Sequence, residues 1–137
     1  MQPAPAGGKF RCAATLEREL RARGCSFVHV SSGGLSPLQK IPLGPNYQVP
    51  LAERMRRETG LPTIAVGLIT EPEQAQDIVA QGQADLVALG RAMLFDPRWP
   101  WHAAAKLGAQ VQAPPQYWRS QPRGLSALFG DVVMGQR

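Results

Sequence analysis

Three short runs of β-forming residues, each ending in glycine and each separated from the next by a helical pattern, constrain this chain more than anything else in it. Residues 26–31 (SFVHVS) run into Ser32-Gly33-Gly34, residues 63–66 (TIAV) stop at Gly67, and residues 85–89 (DLVAL) break at Gly90-Arg91. Between and before them lie helical patterns. Residues 13–23 set Leu16 and Leu20 one turn apart and end at Gly24, and residues 48–59 set Leu51 and Met55 four apart and stop at Gly60. A third helix is expected from Thr70, as a capping hydroxyl before Glu71-Pro72-Glu73, to about Gln81-Gly82.

Such a β-α-β-α-β alternation predicts right-handed crossovers and a parallel sheet in sequential order, with ligand chemistry at the C-terminal ends of the strands. Glycine there lets bare main-chain N–H groups approach an anion, and Arg91 can add a guanidinium fork to phosphate oxygens. In (β/α) barrels the loops after the last strands commonly form a phosphate site of this kind. Taken singly, each glycine is also explained as an ordinary strand terminator; it is their recurrence at all three ends that points to a ligand.

Composition narrows the function classes. The chain has 137 residues, of which 44% are hydrophobic and 18% charged, and no apolar stretch approaches the roughly 20 residues of a membrane span. Residues 1–8 lack a basic segment followed by an apolar block, so no secretory leader is expected and the cytoplasm is the expected compartment. The net charge of +5 is dispersed: Arg18, Arg21, Arg23, Arg54, Arg56 and Arg57 alternate with Glu17, Glu19, Glu53 and Glu58, a pattern of solvated helix faces. No basic run interleaved with stacking aromatics marks a nucleic-acid surface. Cys12 and Cys25 have neither metal nor redox spacing and read as reduced thiols; no metal site is expected.

Five blocks, HVSSGG, YQVPLAERMR, TIAVGLIT, ADLVALGRAMLFDPRWPWHAA and PPQYWR, together resemble, in order and spacing, the C-terminal part of the old yellow enzyme family of FMN-dependent ene-reductases and NADPH dehydrogenases. The bacterial NADPH dehydrogenase subclass is the most similar. The resemblance covers about residues 14–119, which divides the chain into an unmatched segment 1–12, a barrel segment 13–119 and an unmatched tail 120–137. It implies a partial eight-stranded (β/α) barrel, an α/β fold contributing the last three strand–helix units. It also implies FMN as cofactor and NADPH as hydride donor.

By matching motif positions, the resemblance implies that Gly67 contacts the flavin phosphate through its backbone, that Gly90 and Arg91 bind it by N–H and guanidinium, and that Ser32 and Gly33 line the pocket. Arg119 would reach a neighbouring subunit's active site, as the arginine of the matching QY.R segment does in that subclass. No catalytic residue is assigned. The family's substrate anchors and proton donor belong to the first half of the barrel, while His29, His102, Tyr47, Trp99 and Trp101 read as structural here, the tryptophans as an apolar plug. Two readings follow: the phosphate-binding segment of an FMN oxidoreductase, inactive alone, or a non-catalytic remnant that pairs through exposed strand edges with itself or with a complementary barrel fragment. Another phosphate-binding flavin or sugar-phosphate barrel is a weaker third reading, which the QYWR segment opposes.

Overall fold

The computed structural model describes residues 6–132, with side chains from Cys12 onward; the leader-free reading of residues 1–8 falls largely outside them. Three strands, β1 (Val28–Val30), β2 (Thr63–Ala65) and β3 (Leu86–Val87), form one parallel sheet in the order β1-β2-β3, as the alternation predicts. Register pairs Val28 with Thr63, Val30 with Ala65, Ile64 with Leu86 and Ala65 with Val87. Thr63 and Ala65, two apart and so on one face, are both fully buried. The described chain divides into two units, residues 6–69 with 74–89, and residues 70–73 with 90–132.

In the first unit α1 (Ala6–Ala22) packs on α2 (Val49–Thr59), and α2 packs on β1 and β2. The α1 helix starts two turns before the expected residue 13, because Lys9 to Ala14 contains no residue that would stop it. Its inward stripe also differs from expectation. Leu16 and Leu20 are 61% and 37% exposed, whereas Ala14 and Glu17 are buried, so the helix turns residues three and four apart, 14, 17 and 21, toward α2. Arg21 Nη1 closes that stripe by donating to the Thr59 carbonyl at 2.7 Å. The alternation of charges hid this, since Glu17 belongs by spacing to a solvated face and is instead 3% exposed.

Helix α2 follows its pattern more closely. Val49, Ala52, Met55 and Thr59 are buried, and Gly60 ends the helix at φ 65°, its N–H bonding the Arg56 carbonyl. Asp85 fastens the start of the sheet: its Oδ2 accepts from Arg56 Nε at 2.9 Å and from the Thr63 N–H at 2.9 Å, joining α2, β2 and the entry to β3. Helix α3 (Pro72–Ala80) begins two residues after Thr70, with Pro72 in its first position.

The second unit is built on α4 (Arg91–Phe95), α5 (Trp99–Leu107) and a 3-10 turn, Pro115–Ser120. Ala104, Leu128 and Phe129 form its core, with Trp101, Val111, Ala113 and Trp118 packed against them. Trp101 stands edge-on to both Tyr117 and Phe129, with ring centroids 5.2 Å apart in each pair. Leu128 and Phe129 come from the segment that the family resemblance does not cover, and the Val111 N–H bonds the Leu128 carbonyl at 2.8 Å to hold it there. Trp99 donates its indole N–H to the Thr70 carbonyl at 3.1 Å.

Two carboxylates set the pH response of the first unit. Burial without a hydrogen-bond partner for either oxygen raises the Glu17 pKa; the nearby Thr59 hydroxyl pulls weakly the other way but is itself donated to the Met55 carbonyl at 2.9 Å. A raised folded-state pKa means that this contribution is full below the unfolded-state value and is lost as pH rises through the folded one. The Asp85 pKa is lowered, by Arg56 first and the Thr63 N–H second, so its contribution is full above the unfolded-state value and is lost as pH falls through the folded one. Urea titrations should show Glu17→Leu stabilising the fold by about 1 to 3 kcal/mol near pH 7, with the gain shrinking in acid. Asp85→Asn should cost roughly 1 kcal/mol at neutral pH, because the pair is partly exposed, and should flatten the acid limb.

Candidate functional site

Because the strands are parallel, their C-terminal ends lie along one edge of the sheet, and the residues singled out by sequence follow these ends. After β1, the Ser32 main-chain N–H donates to the Gln48 side-chain oxygen. Gln48, 5% exposed at the N-terminus of α2, also donates through Nε2 to the Tyr47 hydroxyl at 2.7 Å. Gly33 follows at φ 82°, and a Cβ there would stand 2.5 Å from Ile41 Cδ1, so the loop closes on this glycine.

After β2, Gly67 adopts φ 123°, and an added Cβ would lie 3.0 Å from two Tyr47 ring carbons and 3.2 Å from Gln48 Cβ. The Tyr47 ring therefore packs against the Gly67 backbone, as a structural reading of it predicts. Gln48 and Tyr47 together bring Ser32 and Gly67 into one neighbourhood. Leu68 continues the turn at φ 52°, a conformation that costs a bulky residue about 1 to 3 kcal/mol and needs support. Support comes from Gln74, whose Nε2 donates to the Leu68 carbonyl at 2.9 Å and to Asn46 Oδ1, with Asn46 itself at φ 61°. Asn46, Gln48 and Gln74 had no sequence signal beyond being amides near helix starts, and the reading by motif passed over all of them.

Gly90 differs from both. Its φ of −84° lies outside the left-handed region, its ψ of −92° lies outside the helical and extended ranges, and nothing lies within 4 Å of where a Cβ would be. Neither its N–H nor that of Gly67 is taken by a main-chain carbonyl among the described residues. Arg91 opens α4 directly afterwards and is exposed, and its guanidinium makes no hydrogen bond or ion pair among the described residues. Arg119 lies exposed in the 3-10 turn of the second unit. His29 is exposed on β1, and His102 Nδ1 pairs with Asp96 Oδ2 at 2.6 Å. Cys12 and Cys25 are free thiols, and among the described residues no group of three or more His, Cys, Asp or Glu could hold a metal.

Residues 10–110 match the family model described as the NADH:flavin oxidoreductase / NADH oxidase family. The chain belongs to that family. It is 49% identical over 102 residues to an NADPH dehydrogenase of Geobacillus thermodenitrificans, and 46% identical over 102 residues to an NADPH dehydrogenase of a Geobacillus species, covering 74% of this chain and 30% of either relative. A third NADPH dehydrogenase, from Halalkalibacterium halodurans, is 42% identical over 106 residues, 77% of this chain and 31% of its own. The chain thus spans about 30% of the length of the curated relatives it matches. The glycine ends after β1, β2 and β3 all fall inside the stretch matched by the NADH:flavin oxidoreductase family; Arg119 lies beyond it. No helix among the described residues is long and apolar enough to cross a membrane.

The glycines can be separated by experiment. Gly67→Ala should destabilise the fold by about 1 to 3 kcal/mol, since it meets both the Tyr47 ring and an unfavourable φ. Gly90→Ala, which meets no neighbouring atom, should cost less than Gly67→Ala. Chemical unfolding of the two variants gives the comparison directly.

Proposed function

We propose that this chain supplies the phosphate-binding end of an FMN site in an NAD(P)H:flavin oxidoreductase of the ene-reductase type. The observation that carries the reading is the pair Gly90-Arg91: an open backbone followed at once by an exposed, unpartnered guanidinium, directly after a parallel strand whose C-terminal end is where such folds bind ligands. Arg91 would fork to phosphate oxygens, and the main-chain N–H groups of Gly67 and Gly90 would add two uncharged donors. Gly67 offers its N–H only, because Tyr47 covers its Cα. Ser32 and Gly33 would line the pocket from the first strand, with Gln48 fixing the Ser32 backbone.

The residues present fit a phosphate group: they are donors, one of them charged, and among the described residues no acidic side chain bonds to any of them. A flavin held this way supplies hydride transfer from NADPH to an activated alkene. This chain's part is to anchor and orient the phosphate. None of its histidines is placed to move a proton for that reaction in our reading, since His102 is held by Asp96 and His29 stands on the strand itself. We therefore propose that the chain alone does not turn over NADPH. The segment 13–119 is the flavin-binding part of this proposal, and Arg119 is its candidate for reaching a neighbouring subunit.

A second reading is favoured by the sheet itself. Both β1 and β3 are edge strands, and Leu86 on β3 is 53% exposed, so the same chain can act as a pairing module that joins a second copy or a complementary barrel fragment. The two readings are compatible, because pairing would cover the edges without consuming the glycine ends.

Isothermal titration with FMN and riboflavin tests the first reading. Two neutral N–H bonds and one arginine, set against the cost of immobilising the ligand, give an expected Kd between tens of micromolar and about 1 mM, or about −4 to −6 kcal/mol. FMN should bind well above riboflavin, and Arg91→Ala should narrow the difference. Equal binding of the two flavins, or an unchanged FMN affinity in Arg91→Ala, removes the phosphate assignment.

A further inference from the structure

The second unit holds a cluster that the flavin reading leaves unused. Asp96, Pro97, Arg98, Trp101, His102 and Tyr117 line an open pocket of about 660 Å3 at the start of α5. Arg98 and His102 are four apart and joined by the first helical hydrogen bond, His102 N–H to the Arg98 carbonyl at 3.2 Å, so their side chains share one helix face. The Arg98 guanidinium is braced against two rings, 5.7 Å from the Trp101 centroid and 5.3 Å from that of Tyr117. Bracing fixes its position while leaving its N–H edges free, and it makes no side-chain hydrogen bond or ion pair among the described residues.

The other polar groups of the pocket point to one charge type. Both oxygens of Asp96 are engaged: Oδ1 accepts the Arg98 main-chain N–H at 3.0 Å, and Oδ2 meets His102 Nδ1 at 2.6 Å. Its charge is therefore directed into the helix start and the imidazole. Once Nδ1 is held, Nε2 is the polar atom the ring has left to offer, and in its charged form the ring donates there. The Tyr117 hydroxyl and Trp101 indole N–H also have no acceptor among the described residues. Up to four donors thus line one pocket, and the acceptor present with them is already taken.

We propose that this pocket binds the phosphate group of a small organic monoester, Arg98 and His102 taking the charge and Tyr117 and Trp101 completing the donor set. A phosphate monoester brings these donors a third terminal oxygen and more negative charge than a carboxylate, and the pocket exceeds a bare phosphate, leaving room for an organic body beside Pro97 and Tyr117. The assignment is independent of the flavin site, which rests on Gly67, Gly90 and Arg91.

The test uses phenyl phosphate as probe, titrated into the full chain carrying Arg91→Gln so that the flavin-phosphate arginine cannot contribute. The indole N–H resonance of Trp101 should move in a saturable way. Arg98→Gln and His102→Asn should each weaken that binding about tenfold or more, with Arg98→Lys in between. Benzoate should bind about tenfold more weakly than phenyl phosphate. The proposal is overturned if phenol shifts the resonance as phenyl phosphate does, if sodium chloride at matched ionic strength reproduces the effect, or if Arg98→Gln, shown folded by its circular dichroism, binds as well as its parent.

Discussion

One carboxylate oxygen, Asp85 Oδ2, sets the first unit in order. It sits just before β3, accepts the N–H that starts β2 and receives the guanidinium of Arg56 from the last turn of α2, so a helix and two strands meet at a single atom. Parallel strands two or three residues long have few ladder bonds with which to choose a register, and a slip of one residue would turn every side chain to the other face. Fixing the Thr63 N–H to Asp85 determines which residues of β2 and β3 stand side by side. That alignment in turn determines where the two strands end, and hence where Gly67 and Gly90 leave the sheet.

At the opposite end of the sheet the corresponding device is an amide. Gln48 is buried at the start of α2, accepts the Ser32 N–H and donates to Tyr47, whose ring lies on Gly67. A buried amide is expensive unless its donors and acceptor are used, and here the side chain spends them on the backbone after β1 and on the residue that covers the turn after β2. The loops after β1 and β2 are thus held by helix α2 rather than by one another. Leu68 and Asn46, both at positive φ, show the cost of that arrangement and Gln74 shows what offsets it.

The sheet was legible in the sequence because its signals are local. A β-rich run, a glycine, and a helix closed by a second glycine at Gly24 or Gly60 depend on neighbours in the chain, and strand order follows from the crossover rule. What could not be read depends on neighbours in space. Leu16 and Leu20 have the spacing of a buried stripe yet remain exposed, while Glu17, charged and set among charges, is buried, because α1 meets α2 along residues 14, 17 and 21. Helical periodicity says that a face exists; which face is inward depends on where α2 lies. The same limit applies to the tail after Arg119, whose Leu128 and Phe129 carry no periodic signal and are recruited by Trp101 from across the second unit.

Glycine itself illustrates why a motif is weaker than the geometry beneath it. Gly33, Gly67 and Gly90 read alike in sequence, each closing a strand. Gly33 and Gly67 are accounted for within the chain, by positive φ and by side chains, Ile41 and Tyr47, that crowd the place of a Cβ. Replacing either one perturbs the fold before it perturbs any ligand, so loss of binding in such a variant says little about contact. Gly90 has neither feature: its φ is negative and the space beside it is open. Substituting the exposed guanidinium that follows it tests recognition with little effect on folding. The phosphate hypothesis therefore depends on Gly90 and Arg91 far more than on the two glycines whose sequence context looks equally persuasive.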